Sequence, residues 1–406
     1  MNAASRADAA SNSASGQVPP GLFLALMLAG YASMASMRIC DTLLAPLATE
    51  FNTSTAQTAS VVSGFAIAYG IMQLVYGPAA ERWGKLRMIL LVLVGGMLAA
   101  IWGGLAPNLD SLIASRLLAG GMAAGVIPLT LAWVGDNTSY EHRQATLARL
   151  MGATIIGMMT GQWIGGIVAE TWHWRVSFVI IALLFAAAAL LLGHNLRRQP
   201  PRPVAQQARM LDYITGARDI LANRWAQILF LVAFLEGAMV FGALAFMPLH
   251  LQTYHGISVS TSGAMVTLFG LGGLLYSRTA RQLLRRLGED GLARAGGICM
   301  LFGLSLALAP HWSWALPACA LFGLGFYCLH GTLQANATQI SEHQRAIAVS
   351  LYASLLFLGQ SFGVAAGAEL VNTTSTLPLM LICGAGLVVL GWAFARSLRR
   401  HARQSA

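Results

Sequence analysis

The chain has 406 residues, of which 56% are apolar and only 10% are charged, and its net charge is +10. A soluble protein carries about 25% charged residues, and a soluble fold of this length needs more polar surface than this sequence supplies. The composition therefore excludes an ordinary soluble protein and indicates an integral membrane protein. The positive charge does not form a basic face on a soluble domain, as nucleic-acid binding requires, so we expect no nucleic-acid partner.

Twelve windows of the sequence are apolar over about the 20 residues that a helix needs to cross a bilayer, and we name them spans 1 to 12. A polar segment at 1–20 precedes them, with the composition of a disordered cytoplasmic tail, and a basic cytoplasmic tail at 397–406 follows them. The predicted spans are 21–46, 56–78, 86–106, 110–134, 146–169, 175–194, 225–249, 258–277, 291–310, 313–338, 345–369 and 376–396. The sequence thus predicts an all-α integral membrane protein.

Lys and Arg are concentrated in alternate loops. All 25 except Arg38, Arg116 and Arg175 lie in the two tails or in the segments that follow even-numbered spans, such as 79–87 and 278–294. Because cytoplasmic loops carry an excess of Lys and Arg, we expect both termini to be cytoplasmic and the protein to be a multi-pass protein of a bacterial-type plasma (inner) membrane.

The polar segment 195–224 divides six spans from six. It begins with a proline-rich stretch that breaks a helix, and its later part has the pattern of a short amphipathic helix. We therefore expect a cytoplasmic linker between an N-terminal six-helix bundle, 21–194, and a C-terminal six-helix bundle, 225–396.

The two halves share weak internal repeats. Span 5 contains GQWIGG from Gly161 and span 11 contains GQSFGV from Gly359, and the loops before them read YEHRQA from Tyr140 and SEHQRA from Ser341. Both pairs are separated by about 200 residues, which is the signature of a duplicated unit. Two parallel halves with a binding site at their interface are typical of secondary transporters.

Three motifs carry a family resemblance. The loop after span 2 reads GPAAERWGKLR from Gly77, span 4 reads LIASRLLAGG around Arg116, and span 5 reads GMMTGQWIGG from Gly157. The loop resembles the signature G-x-L-a-D-r-x-G-r-r of the major facilitator superfamily, with Glu81 in place of the aspartate. The span 5 motif resembles the G-x-x-x-G-P-x-x-G-G signature of the drug:proton antiporter branch, with Gln162 in place of the proline. The resemblance implies the major facilitator fold, with 12 transmembrane helices in two pseudo-symmetric six-helix bundles.

The resemblance also implies roles for these residues. In the family the acidic loop residue caps a neighbouring helix and pairs with arginine, as a latch of one conformation, and a basic loop that only sets orientation is the alternative. The predicted latch loop comprises Gly77, Glu81, Arg82, Gly84, Lys85 and Arg87. The predicted span 5 interface, which either moves or serves static close packing, comprises Gly157, Gly161, Gln162, Gly165 and Gly166.

Four charged residues lie within spans, where burial costs at least ~2.5–3.5 kcal/mol and indicates function: Arg38 and Asp41 in span 1, Arg116 in span 4 and Glu236 in span 7. From their depths we expect an Arg38–Asp41–Arg116 cluster in one layer, with a structural ion pair or helix packing as the alternative. Glu236 lies at the midplane without a basic neighbour in sequence. It is our first candidate for a proton carrier or a substrate counter-charge, with a structural acid as the alternative, and Asp41 is the second candidate.

The predicted substrate cavity is built around Glu236. His330 and Gln334 lie four residues apart on one face of span 10, and Met239 and Phe241 flank Glu236 as an adaptable apolar wall. A helix–helix hydrogen bond is the alternative role for His330. We interpret Gln162 and Gln360 as interhelical hydrogen-bonding residues, with substrate binding as the alternative. Four further acids are interpreted as solvated loop charges: Glu50, Asp110, Glu170 and Glu369.

No catalytic, nucleotide-binding or metal-binding motif occurs in the sequence, so we expect neither an enzyme nor an ATP-driven pump and no cofactor or metal. The predicted function is alternating-access transport of a small molecule, as proton-coupled efflux of a drug-like or apolar compound by a monomer in the lipid bilayer. Proton symport or uniport of a sugar or organic acid is the alternative. A membrane sensor or channel is the second alternative.

Overall fold

The computed structural model describes residues 18–197, 210–341 and 344–405, and in these residues it is helical without strands. Four predicted segments lie partly outside these residues. They are most of the N-terminal tail, the first part of the linker, two residues of the SEHQRA loop and the last residue of the C-terminal tail. Spans 1 to 6 are the long helices Pro20–Arg38, Ser60–Trp83, Lys85–Gly104, Leu109–Asn137, Tyr140–Thr171 and Trp174–Arg197, and two short helices, Leu44–Glu50 and Thr55–Thr58, connect spans 1 and 2.

The second half repeats this pattern after a linker helix. The linker helix is Met210–Ala222, which confirms the predicted short helix, and the later elements are Arg224–His255, Val259–Ala307, the 3₁₀ turn Trp312–Trp314, Ala315–Ala337, Arg345–Thr373 and Thr376–Ser405. Several helices begin at polar caps, since the side chains of Asn108, Asn223 and Ser258 each accept a hydrogen bond from a backbone N–H of the first turn.

Spans 8 and 9 form the continuous helical segment Val259–Ala307, which leaves helical geometry only at Gly288, where φ is 67°. The parts before and after Gly288 run in opposite directions along span 10. Before Gly288 the contacts advance from Phe269–Gly323 to Tyr276–Gly331, and after it they recede from Gly296–Leu329 to Gly303–Phe322. The eleven apolar helices of the described chain that are long enough to cross a membrane therefore supply twelve spans. The prediction of a loop at 278–294 is wrong. Residues such as Leu283, Leu284 and Arg285 favour a helix, and the chain stays helical up to the break at Gly288.

The turn after span 2 is also shorter than predicted. The helix continues through Gly77 and Pro78 to Trp83, and only Gly84, with φ of 88°, forms the turn before span 3. Gly77 therefore lies within the helix, where it faces Tyr213 of the linker helix. The left-handed backbone conformation at this position explains why the residue is a glycine, since residues with a side chain adopt that conformation only at an energetic cost.

Close glycine contacts repeat in the two halves and confirm their pseudo-symmetry. A methyl group added to Gly120 would lie 2.1 Å from the Phe65 carbonyl oxygen, where span 4 crosses span 2. The same group on Gly323 would lie 2.0 Å from the Phe269 carbonyl oxygen, where span 10 crosses span 8. Such small residues let membrane helices approach closely and pack.

Candidate functional site

The first cluster of buried charge forms where the helix of span 1 ends. Arg38 is the last helical residue, and Asp41 lies in the turn that follows, so its predicted place within the helix is wrong. The turn still brings the two side chains together, with Arg38 Nη1 3.3 Å from Asp41 Oδ2. Gln162 of span 5 donates a second hydrogen bond to the same oxygen at 2.9 Å, and all three residues are buried. Asp41 is therefore held by donors from both sides.

Arg116 does not join this pair directly. Its guanidinium donates to the Ser36 carbonyl oxygen at 2.8 Å and to the Val61 carbonyl oxygen at 3.4 Å, and it lies 4.3 Å from the centre of the Phe65 ring. The predicted three-residue cluster is thus an Arg38–Asp41 pair with a separate arginine that joins spans 1, 2 and 4. These contacts match the packing alternative for Arg116.

The second cluster surrounds Glu236 in span 7. Glu236 has no exposed surface, and its Oε2 lies 3.0 Å from Nδ1 of His330 in span 10. The same nitrogen lies 3.0 Å from the Tyr352 hydroxyl of span 11, and the imidazole stacks on Phe326 with 4.7 Å between ring centres. Glu236 therefore has a titratable partner that lies 94 residues away in the chain.

The other predicted cavity residues separate into two groups. Phe241 lies between the halves, because the Arg38 guanidinium is 4.5 Å from the centre of its ring. Met239 faces away, since its sulfur packs against Gly386 of span 12, and its predicted place on the cavity wall is wrong. Gln334 is exposed one helical turn beyond His330, towards the end of the molecule that carries Gly84 and Gly288. We call that end the basic side.

A small cavity of about 10 Å³, room for about one water molecule, lies between the halves beside the first cluster. Its lining includes Arg38 and Gln162 from the N-terminal half and Thr267 and Phe269 from the C-terminal half. Sites for drug-sized ligands typically measure about 300–1,000 Å³, so a ligand of that size requires the halves to separate further. In the described residues, no three His, Cys, Asp or Glu side chains lie close enough to share a metal ion.

The halves are joined tightly on the side opposite to the basic side. The Glu170 carboxylate at the end of span 5 accepts a hydrogen bond of 2.9 Å from the Ser260 backbone N–H at the start of span 8. One turn earlier, a methyl group added to Gly166 would lie 2.6 Å from the Val259 carbonyl oxygen. Glu170 is exposed, as the interpretation as a solvated charge predicts, and the structure adds a capping contact that the sequence did not indicate.

Spans 2 and 11 form the other junction between the halves. The Ser361 hydroxyl donates to the Ser63 carbonyl oxygen at 2.9 Å, and the Tyr69 and Phe357 rings lie 4.1 Å apart. Towards the basic side, the linker helix lies beside both spans, because Tyr213 faces Gly77 and Gly216 packs against Gln344 at the start of span 11. The halves are thus in contact from the side opposite to the basic side down to the midplane.

The predicted latch loop is largely exposed in this structure. Glu81, Arg82, Trp83 and Arg87 are exposed, and Glu81 forms no hydrogen bond or ion pair with the residues that the structure describes. Within the described part of the chain the loop makes one ion pair, between Lys85 and Asp136 at the end of span 4. Glu81 therefore does not cap a helix in this conformation, and Asp136 is a partner that the sequence motif did not indicate.

The span 5 glycines pack directly on span 1. Methyl groups added to Gly157, Gly161 and Gly165 would lie 2.4, 2.6 and 2.3 Å from carbonyl oxygens of three residues spaced four apart. Those carbonyls belong to Tyr31, Ala35 and Ile39. The first three glycines of the motif therefore pack span 5 on span 1 within the N-terminal half, whereas Met159, Gln162 and Gly166 contact span 8 of the other half.

A comparison of the chain with known families identifies the architecture. The model of the Major Facilitator Superfamily matches residues 22–364, which is most of the chain. The chain belongs to the major facilitator superfamily. It is a membrane transporter and not an enzyme, and the predicted fold class is confirmed.

Relatives of this family member differ in what they carry. Multidrug resistance protein 2 of Bacillus subtilis is 24% identical over 370 residues, covering 86% of this chain and 90% of the relative. The probable L-galactonate transporter of Escherichia coli is 24% identical over 364 residues, covering 82% and 79%. A solved bacterial homologue of the human lysosomal transporter Spinster has a TM-score of 0.74 at 19% identity, covering 95% of this chain and 98% of that one. The last likeness shows the fold alone.

Proposed function

We propose that this transporter exports a small, drug-like or largely apolar compound in exchange for protons. The observation that carries the proposal is the contact between Glu236 and His330 at 3.0 Å, because it places two titratable groups together in the membrane interior. Intramembrane ionisable residues commonly mark proton and substrate pathways. The multidrug resistance proteins among the relatives support export of apolar compounds.

In an alternating-access cycle, the Glu236–His330 pair couples proton movement to the change of conformation. In the present state the halves meet through Glu170 and Ser260 and through spans 2 and 11, so exchange is favoured from the basic side. Rocking the halves about the midplane opens the other side. Glu236 takes up a proton in one state and releases it in the other, and a neutral carboxyl group is cheaper to move through an apolar interior than an ionised one.

The direction of transport follows from the proposed orientation. With the basic loops in the cytoplasm, as the positive-inside bias favours, the present state faces the cytoplasm, where an exporter binds its substrate. Glu81 and its loop lie on the same side, and we propose that they latch the halves when that side closes. We propose that the working unit is a monomer in a bacterial inner membrane.

An organic acid is the second candidate substrate, favoured by Arg38. This arginine lines the cavity, and its Nε has no hydrogen-bond partner among the described residues. A carboxylate that enters the cavity would find this donor available. The probable L-galactonate transporter among the relatives supports this candidate.

Proton flux in inside-out vesicles tests the proposal. Adding a transported compound to acid-loaded vesicles is expected to release protons from the lumen, and Glu236→Gln is expected to abolish that release. Glu369→Gln, which changes an exposed acid of span 11, is the matched control and should behave like wild type. Proton uptake that accompanies substrate uptake would indicate symport instead. Unchanged coupling in Glu236→Gln would contradict the role of Glu236.

A further inference from the structure

The Glu236 carboxyl group is almost isolated from polar surroundings. It has no exposed surface, its Oε1 has no hydrogen-bond partner in the described chain, and its Oε2 contacts only the imidazole of His330. A proton that reaches Glu236 in this conformation must therefore pass through His330 or wait for the packing around it to open.

His330 connects this sealed carboxyl group to open space. Its side chain is 15% exposed, whereas that of Glu236 is fully buried. The exposed Gln334 lies one turn further along the same face of span 10, towards the basic side. The imidazole is fixed by its stacking on Phe326, so its two nitrogens have different surroundings. Nδ1 faces Glu236, whereas Nε2 has no hydrogen-bond partner among the described residues and keeps some accessible surface.

One nitrogen faces two partners. Nδ1 lies 3.0 Å from Glu236 Oε2 and 3.0 Å from the Tyr352 hydroxyl. A ring nitrogen carries either one proton or one lone pair. When Nδ1 carries the proton, it donates to an ionised Glu236. When Nδ1 is bare, the Tyr352 hydroxyl donates to it, and this hydrogen bond stabilises the tautomer with its proton on Nε2.

We propose that His330 is the proton relay between water in the space between the halves and Glu236, and that Tyr352 is the residue that positions its ring and stabilises the relay's second tautomer. The proposal rests on the proposed function, because it assumes that Glu236 is the coupling acid. It adds the route and the two residues that serve it.

The relay step conserves protons and charge. A hydronium ion on the open side transfers a proton to Nε2 and becomes water, while the Nδ1–H bond breaks and an Oε2–H bond forms on Glu236. The ring remains neutral after the transfer, the carboxylate becomes a carboxylic acid, and Tyr352 then donates to the bare Nδ1. Release reverses these steps when the alternate state exposes the ring to the other side.

Other titratable groups near the ring come from neighbouring elements and do not contact its nitrogens. Tyr327 lies on span 10 itself and packs against Gly273 of span 8. Tyr276 of span 8 lies against Gly331, the residue after His330. Arg38 reaches Phe241, whose ring is 5.5 Å from that of Phe326. Only Glu236 and Tyr352 form hydrogen bonds with His330 among the described residues.

Rescue by imidazole tests the relay. In inside-out vesicles, His330→Ala is expected to lower substrate-driven proton flux by at least about tenfold, since a positioned proton-transfer group typically contributes 10²–10⁴-fold. Added imidazole, which can occupy the vacated space, is expected to restore much of that flux while leaving Glu236→Gln inactive.

Two further variants separate relay from structure. His330→Asn keeps a hydrogen-bond donor close to the position of Nδ1 but cannot transfer protons between two nitrogens, so it is expected to lose flux without imidazole rescue. Tyr352→Phe is expected to lower flux and to change its pH profile, whereas Tyr327→Phe, the matched control, should not. If the His330→Ala variant does not fold, His330→Asn alone distinguishes a proton relay from a structural role of His330.

The failures can be distinguished. Normal coupling in His330→Asn, or in both His330 variants, together with loss in Glu236→Gln would overturn the relay and leave the proposed function in place. Failure of imidazole to restore flux in a folded His330→Ala protein would also overturn it. Normal coupling in Glu236→Gln would overturn the proposed function itself.

Discussion

Each half of the transporter contains a buried carboxyl group, and the two carboxyl groups have different hydrogen-bond partners. In the N-terminal half, Asp41 is bonded to Arg38 and Gln162, whose groups can only donate to it. In the C-terminal half, Glu236 is bonded to His330, whose nitrogen can donate or accept. Donors alone suit a carboxylate that stays ionised, whereas a histidine permits either state. We therefore expect the partner of each buried acid, more than its depth, to decide whether it exchanges protons.

The largest expected effect is a loss of folding stability on substitution of Asp41, which distinguishes this acid from Glu236. Asp41→Asn leaves Arg38 buried without its counter-charge, and removing one member of a buried ion pair costs about 3–5 kcal/mol. Replacing both members, with Arg38→Met and Asp41→Leu, is expected to recover most of that loss and to retain proton exchange. Unfolding of purified protein in detergent measures the stability, and vesicle proton flux measures the exchange. A folded double variant without proton exchange would make Asp41 a coupling residue.

Glycine contacts test whether the halves are packed alike. Gly165→Ala brings a methyl group within 2.3 Å of the Ile39 carbonyl oxygen, and Gly363→Ala brings one within 1.9 Å of the Ala238 carbonyl oxygen. Overpacking of this kind typically costs about 1–3 kcal/mol. Gly152→Ala is the control, because no neighbouring atom lies within 4 Å of the added group. We expect both interface variants, and not the control, to unfold at lower temperature.

A variant at the Glu170–Ser260 junction between the halves is expected to have a smaller effect, on the balance between the two conformational states. Glu170→Ala removes the acceptor at the start of span 8, and loss of a helix cap costs about 0.5–2 kcal/mol. We expect the population to shift towards the state that is open on the side opposite to the basic side. Thr42 is buried at this junction between Gln162 and Gly263. Faster reaction of a Thr42→Cys variant with a thiol reagent added from that side would measure the shift. Glu369→Ala, which removes an exposed acid near the same end of span 11, should not change the rate.

An exposed ion pair should matter least. Arg175 donates to Glu50 at 2.7 Å and lowers the pKa of that carboxyl group below its ordinary value of 4.5. The pairing therefore stabilises the fold above about pH 4.5 and is lost as the pH falls through the lowered pKa. Because both side chains are about one-third exposed, Glu50→Gln is expected to cost less than about 1 kcal/mol at neutral pH. Thermal unfolding at neutral and acidic pH checks this, and a loss as large as that of Asp41→Asn would contradict it.

Local patterns predicted the fold because a membrane span is a local property. Apolar windows located the twelve spans, and the repeated glycines of spans 5 and 11 indicated two related halves. The spacing of Arg38 and Asp41 predicted their contact, although through a turn and not a helix face. Breaks in the helices were harder, because the helix-forming residues before Gly288 continue the helix through a segment whose charge resembles a loop.

Contacts between distant spans could not be derived in the same way. Glu236 and His330 lie 94 residues apart, and Glu170 and Ser260 lie 90 apart, so their pairing depends on how helices are arranged and rotated. A signal for the first pair was present, since ionisable residues in a membrane tend to pair with one another. The orientation of Met239 towards span 12 had no such signal, because an apolar residue packs equally well on several faces.

Isotope-edited infrared difference spectroscopy of the purified transporter tests the central claim most directly, because it detects protonation of individual carboxyl groups. Lowering the pH is expected to produce a carboxylic-acid band that is absent in Glu236→Gln and unchanged in the Arg38→Met, Asp41→Leu double variant. A band that survives in Glu236→Gln and disappears in the double variant would contradict the account and assign the exchanged proton to Asp41.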